Sequence, residues 1–223
     1  MGRREIVIAG GFLLVPLTAG VMVAAMSLPE FDRVEDIVGP LPAGPLWVFG
    51  YGSVMWRPGF PHAEAQRARV YGYRRALCVR SWYHRGSRER PGLVLGLDRG
   101  GSCVGMAFRI DAAHRQAVVR ALIEREMVTP VYRPLWLSLQ LGDRRQSALG
   151  FGVDRTHPQY AGDLQVEEAV RIAADAVGHS GANPDYVHET CRQLGRMGVH
   201  DPFLEAVRRG LEIEPPAAMA AGD

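Results

Sequence analysis

Apolar positions along this chain follow two different periods, and the change between them shows how it is organised. Leu46-Trp47-Val48-Phe49 is an unbroken apolar run, the pattern of a short buried strand, and it ends in Gly50-Tyr51-Gly52-Ser53. Tyr71 to Arg80 reads as a second strand. Leu93–Leu97 and Cys103–Ile110 flank Asp98-Arg99-Gly100-Gly101, which predicts a hairpin. Leu135, Leu137, Leu139 and Leu141 alternate with Trp136, Ser138 and Gln140, and Gly142-Asp143 turns this strand onto a partner running from Gln146 to Val153. Between these strand patterns, Asp111 is placed to cap a helix from Ala112 to about Met127. The last third is helical. Asp163 heads a helix ending near Gly178, and Asn183-Pro184 and Asp201-Pro202 are each a cap followed by proline at the first helical position. Mostly antiparallel strands followed by helices predict an α+β fold, a small curled sheet or barrel with helices packed outside.

The pattern also sets expected boundaries. Residues 1–26 form an apolar segment, 27–45 a linker carrying Pro29, Pro40, Pro42 and Pro45, 46–214 the folded domain, and 215–223 a flexible tail. No charge interrupts Ile6 to Pro29, and Arg3-Arg4 precede it. The segment therefore reads as a signal-like stretch, a membrane anchor, or residues upstream of a true start at Met26. Any membrane contact is expected through this segment alone.

Composition narrows the chemistry. The 223 residues carry 26 basic and 24 acidic side chains for a net charge of +2, which gives no electrostatic case for a nucleic-acid partner. All 26 basic residues are arginine. With no lysine, a Schiff base, a phosphate-loop lysine and a kinase-type lysine are excluded. Cys78, Cys103 and Cys191 are far apart and form no CxxC pair, so a disulfide framework is not expected and a reducing compartment fits. No histidine stands at ligand spacing from a cysteine or another histidine, so no metal site is expected. Cys78 and Cys103 lie in strand patterns and read as core positions rather than nucleophiles.

Two local features carry chemistry. In Phe49-Gly50-Tyr51-Gly52-Ser53-Val54-Met55-Trp56, glycines directly after a buried strand let successive N–H groups face one cavity, a nest for a carboxylate or phosphate. The same glycines also suit a plain connecting turn. The second feature is Glu126, which shares a helix face with Val119, Leu122 and Ile123 and stands at the negative end of the helix dipole. Desolvation there raises a carboxyl pKa toward the range of a general base. A glutamate reaching water, or pairing with Arg125 or Arg133, fits the same position. His84, in His84-Arg85-Gly86, reads as a polar loop residue that orients a ligand or ends a strand.

Trp47-Val48-Phe49-Gly50-Tyr51-Gly52-Ser53, Gly72-Tyr73-Arg74-Arg75, His84-Arg85-Gly86, Pro91-Gly92, Gly105-Met106-Ala107-Phe108-Arg109, Arg125-Glu126-Met127, Tyr132, His157-Pro158-Gln159-Tyr160 and Asn183-Pro184-Asp185-Tyr186 occur in that order. With this ordered set the chain resembles the ChaC family of γ-glutamylcyclotransferases from about Leu46 to Leu211. The resemblance implies a γ-glutamylcyclotransferase-like fold, a small mixed β-barrel with surrounding helices. It implies glutathione as the small-molecule substrate, split into 5-oxoproline and cysteinylglycine without a cofactor, in the cytoplasm. Carried over by position, it implies Glu126 as the catalytic acid/base. Tyr51, Gly52, Ser53, Val54, Met55 and Trp56 would hold the γ-glutamyl group, with Arg85, Tyr132 and Tyr160 at further recurrent positions. Val54 stands where the family usually has leucine. Another γ-glutamyl amide or amine as substrate, and a catalytically silent carboxylate-binding protein, are the alternative readings.

Overall fold

The computed structural model describes residues 31–213, so the apolar stretch Ile6–Met26 and the tail 215–223 lie outside the described residues. Its frame is a closed five-stranded barrel. The strands are β1 (Leu46–Gly50), β2 (Glu64–Ser81), β3 (Gly92–Ile110), β4 (Tyr132–Leu141) and β5 (Arg144–Val153), in the order β1-β3-β2-β4-β5. All neighbours are antiparallel except β1 and β5, whose parallel pairing at Val48 and Leu149 closes the barrel. All five β1 residues are buried, as the unbroken apolar run requires. The leucine alternation becomes β4, turned onto β5 at Gly142, whose φ of 55° is one that glycine adopts without strain.

The expected hairpin at Asp98–Gly101 does not form. β3 runs through it as one strand, paired with β2 on both sides. Gly100 and Gly101 have φ of 100° and 66° opposite Gly72 at 82°, and the register shifts there between Tyr71 and Tyr73. Glycines that suit a turn also suit a bulge, and here the strand pair bends instead of reversing. The true reversal between β2 and β3 lies in residues 82–91, before Gly92.

Beside a small cluster of Cys78, Val79 and Val131, two larger core clusters fill the structure. One occupies the barrel interior and the space under α3 (Val166–Ala173), α4 (Asn183–Arg196) and α5 (Pro202–Ile213), with Leu93, Leu139, Val187 and Val207 at its centre. The other packs α2 (Arg115–Glu126) on β1 through Val119, Leu122 and Ile123. Part of the expected linker belongs to this second core. The short helix α1 (Glu35–Val38) buries Val38, and Val34 before it is buried too, so prolines mask an apolar anchor there.

Helix starts follow the expected places more closely than the expected caps. Asp201 caps α5 by accepting the Leu204 N–H at 3.1 Å. Asn183 instead holds both the N–H and the carbonyl of Leu93, at 2.6 and 2.7 Å, tying α4 to β3. Asp163 pairs with Arg74 at 2.5 Å, and α3 begins at Val166 and ends at Ala173. α2 begins at Arg115 because Asp111 pairs its carboxylate with Arg109, at 3.1 Å, and its carbonyl accepts the His114 N–H.

Candidate active site

A cavity of about 350 Å³ opens beside the end of β1. β1 ends at Phe49 and Gly50, and Tyr51 to Val54 turn into a 3-10 segment, Ser53–Met55. Gly50 is required by packing, since a Cβ there would stand 2.8 Å from Val54 Cγ1. Gly52 is different. Its φ of −124° is open to any residue, and a Cβ would meet Tyr186 Oη only at 3.4 Å. The N–H groups of Gly52, Ser53 and Val54 donate to no protein acceptor among the described residues, while the Gly52 and Ser53 carbonyls close the turn with Met55 and Arg57.

Across the cavity stands Glu126, the last residue of α2, on the face that buries Leu122 and Ile123. Its side chain is 19% exposed, toward the cavity. Burial pushes its carboxyl above the ordinary range, against the pull of the Arg125 guanidinium. Arg125 Nε lies 3.2 Å from Glu126 Oε1. The same guanidinium donates to Ser53 Oγ at 2.8 Å and to the carbonyls of Arg57 and Pro58 at 2.7 and 2.9 Å. Pairing with Arg125 and a place in the cavity, readings that compete in the sequence, therefore hold together.

Three phenols complete the wall. Tyr132 Oη donates to the Leu95 carbonyl at 2.7 Å, and Tyr186 Oη accepts the Leu95 N–H at 3.2 Å. Burial raises Tyr51 and Tyr132 well above the usual phenol value and Tyr186 to about 12, so all three keep their protons at neutral pH. Arg85 Nη1 donates to the Ala182 carbonyl at 3.0 Å, and its guanidinium lies over the Tyr186 ring. His84 meets Ser180 Oγ at 2.9 Å, and burial with nearby Arg125 lowers its pKa, which favours the neutral ring. Arg57 faces the same space.

Of the residues named from sequence, Tyr51, Gly52, Ser53, Val54, Arg85, Glu126 and Tyr132 line this cavity. Met55, Trp56 and Tyr160 do not. Met55 is buried behind the turn, where its sulfur meets Arg75 at 3.6 Å, and Trp56 packs near the Tyr186 ring. Tyr160 donates to Asp98 Oδ2 at 3.1 Å, in a network with Arg74 and Arg155. The polar lining residues Tyr186, Arg57 and Ser180 are among those that sequence reasoning missed. Tyr186 had a signal, since it follows the Asn183-Pro184 helix start at the buried fourth position. Cys78, Cys103 and Cys191 are buried free thiols, and burial pushes Cys78 and Cys191 up to about 12, as core positions require. Among the described residues no group of three His, Cys, Asp or Glu is arranged to hold a metal, and no helix is long and apolar enough to cross a membrane.

The family model described as ChaC-like protein matches residues 46–213. A glutathione-specific γ-glutamylcyclotransferase of Escherichia coli (strain K12) is 35% identical over 162 residues, covering 72% of this chain and 70% of that relative. One of Schizosaccharomyces pombe is 31% identical over 192 residues, covering 77% and 94%. The crystal structure of a selenomethionine-labelled yeast γ-glutamyl cyclotransferase specific to glutathione aligns with a TM-score of 0.71 at 19% identity, over 79% of this chain and 99% of that one. The barrel with its packed helices is thus a γ-glutamylcyclotransferase fold. The chain belongs to the ChaC-like family.

Proposed function

We propose that this chain cleaves glutathione to 5-oxoproline and cysteinylglycine without a cofactor, with Glu126 as its acid/base. The observation that carries this reading is the position of Glu126, a carboxyl of raised pKa in one cavity with a turn whose N–H groups have no protein acceptor among the described residues. In a γ-glutamyl amide the α-amine attacks its own γ-carbonyl, closes a five-membered lactam and expels the amine. The substrate brings its own nucleophile, which suits a cavity without lysine and with its cysteines in the core. Holding the two ends in reacting geometry contributes up to roughly 7–11 kcal/mol in favourable intramolecular reactions.

In this reading Glu126 takes the proton of the α-ammonium and returns one to the departing nitrogen. The Gly52–Val54 N–H groups receive the α-carboxylate or the developing oxyanion. The tyrosine hydroxyls hold Leu95 in the opposite wall, and Arg57 and Arg85 supply positive charge for the distal carboxylate. The relatives' names support glutathione over other γ-glutamyl compounds. The chemistry of a thiol substrate and three free buried cysteines support a cytoplasmic setting. The test is release of cysteinylglycine from glutathione beside release of amine from γ-glutamyl dipeptides. Turnover of glutathione in preference to the dipeptides is expected, and the reverse preference overturns the substrate assignment.

A further inference from the structure

A second cavity, of about 320 Å³, is lined by β2, β3 and the connection between α4 and α5, and shares no lining residue with the first. Four arginines line it: Arg67, Arg69, Arg74 and Arg75. Arg74 is engaged by Asp98 and Asp163, at 3.0 and 2.5 Å. The other three have only neutral hydrogen-bond acceptors or none among the described residues. Arg69 Nη1 donates to Ser102 Oγ at 3.0 Å, and Arg75 donates to the carbonyls of Tyr51 and Val104, each at 2.7 Å. Asp201 is the one carboxylate on the wall, and its Oδ1 is taken by the cap of α5.

The placement follows from the strand geometry. Period two puts Arg67 and Arg69 on one face of β2, and the bulge after Tyr71 bends the strand so that Arg74 and Arg75 reach the same space. Three permanent cations around one hollow repel one another, and an anion between them relieves that repulsion. Guanidinium forks match phosphate oxygens in pairs. The hollow exceeds the size of a bare phosphate, and Val104 and Val199 give it an apolar wall for an organic group.

We propose that this cavity binds a small phosphomonoester through Arg67, Arg69 and Arg75, and that its occupancy is felt at the candidate active site. Arg75 is the link. It lines this cavity, and its Nε holds the carbonyl of Tyr51, the first residue of the turn that also lines the first cavity. A phosphate drawing on Arg75 loosens that hold, so ligand and substrate affinities change together and reciprocally. This coupling rests on the cyclotransferase reading, whereas the binding itself does not.

The test is calorimetric titration of the full chain with ribose 5-phosphate at constant ionic strength of about 0.15 M, where long-range attraction is screened. Saturable one-site binding with a Kd below about 1 mM, competed by inorganic phosphate, is expected. The double variant Arg67→Gln/Arg69→Gln should weaken it about tenfold or more while leaving glutathione turnover without ligand unchanged. Saturating ribose 5-phosphate should shift the KM for glutathione at least twofold in wild type and not in the variant. Absence of saturable binding, equal binding by the variant, or stronger binding of a single-stranded oligonucleotide overturns the site. Binding with an unmoved KM overturns the coupling. If glutathione is not turned over at all, the titration still decides the site.

Discussion

Arg125 and Glu126 are chain neighbours whose charges meet at 3.2 Å, and the same Arg125 guanidinium also holds Ser53 Oγ at 2.8 Å. The end of α2 and the turn after β1 are therefore fixed as one unit, although more than 70 residues separate Ser53 from Arg125 in sequence. The carboxyl and the turn keep their spacing because one side chain, Arg125, holds both.

If Glu126 carries the proton, Glu126→Gln should fold, bind glutathione and lose turnover roughly 10²–10⁴-fold. Steady-state kinetics with circular dichroism as a folding control check this. Wild-type turnover in the folded variant would remove Glu126 from the mechanism.

The raised pKa of Glu126 sets a pH dependence in turnover and another in stability. Turnover needs the ionised carboxylate, so kcat/KM should fall on the acid side with a midpoint above the ordinary value of 4.5. Arg125 pulls that midpoint down, so Arg125→Gln should move the acid limb to higher pH. In stability the buried carboxylate is unfavourable above its unfolded value, and the penalty vanishes as pH falls below it. Glu126→Gln should thus raise Tm at pH 7, with the gain shrinking as the pH falls through the raised folded value and gone below about 4.5. Paired melting curves across that range test the sign.

Two glycines near the site should behave oppositely. At Gly105 a Cβ would lie 2.3 Å from the Gly50 carbonyl oxygen, so Gly105→Ala must separate β3 from the end of β1 and lower Tm. At Gly52 the nearest contact is 3.4 Å, so Gly52→Ala should melt like wild type yet raise the KM for glutathione, about tenfold, by filling space the substrate needs. Equal melting of both variants would contradict the packing argument, and an unchanged KM would reduce Gly52 to a connector.

Asp98 is fully buried and binds Arg74, Arg155, Tyr160 and the Arg99 N–H. Burial alone would raise its pKa, but these partners outweigh it and hold the carboxyl below the ordinary value. Its stabilisation is present above the unfolded value of 3.8 and is lost as pH falls through the folded one. Asp98→Ala should cost about 2 kcal/mol at pH 7, less than a fully buried ion pair because Arg74 and Arg155 are 36% and 46% exposed. Urea unfolding at pH 7 and at acid pH measures it, and an equal loss at both would refute the charge argument.

Much of this was legible in the residues, and the failures share a cause. β1, β4 and β5 follow from apolar pattern, and Glu126 from one polar residue on an apolar helix face, because those signals depend only on local period. Gly100-Gly101 signals a turn or a bulge equally well, and its partner Gly72, 28 residues earlier, decides between them. Asn183 and Asp163 look like caps, but Leu93 and Arg74 claim their side chains. Tyr160 sits in a recognisable motif and serves the Asp98 network instead of the cavity. Each misreading concerns a side chain whose partner is distant in sequence, which no local period reveals.

The barrel carries the candidate cavity at one rim. Tyr132 begins β4 and Phe151 nearly ends β5, both at the cavity, while the strands between them turn at Gly142-Asp143, up to roughly 30 Å away along ten-residue strands. A reporter dye, an affinity tag or a lengthened loop grafted at that far turn would leave the cavity lining in place. The molecule thus offers a handle by which it can be held or watched while its working end stays untouched.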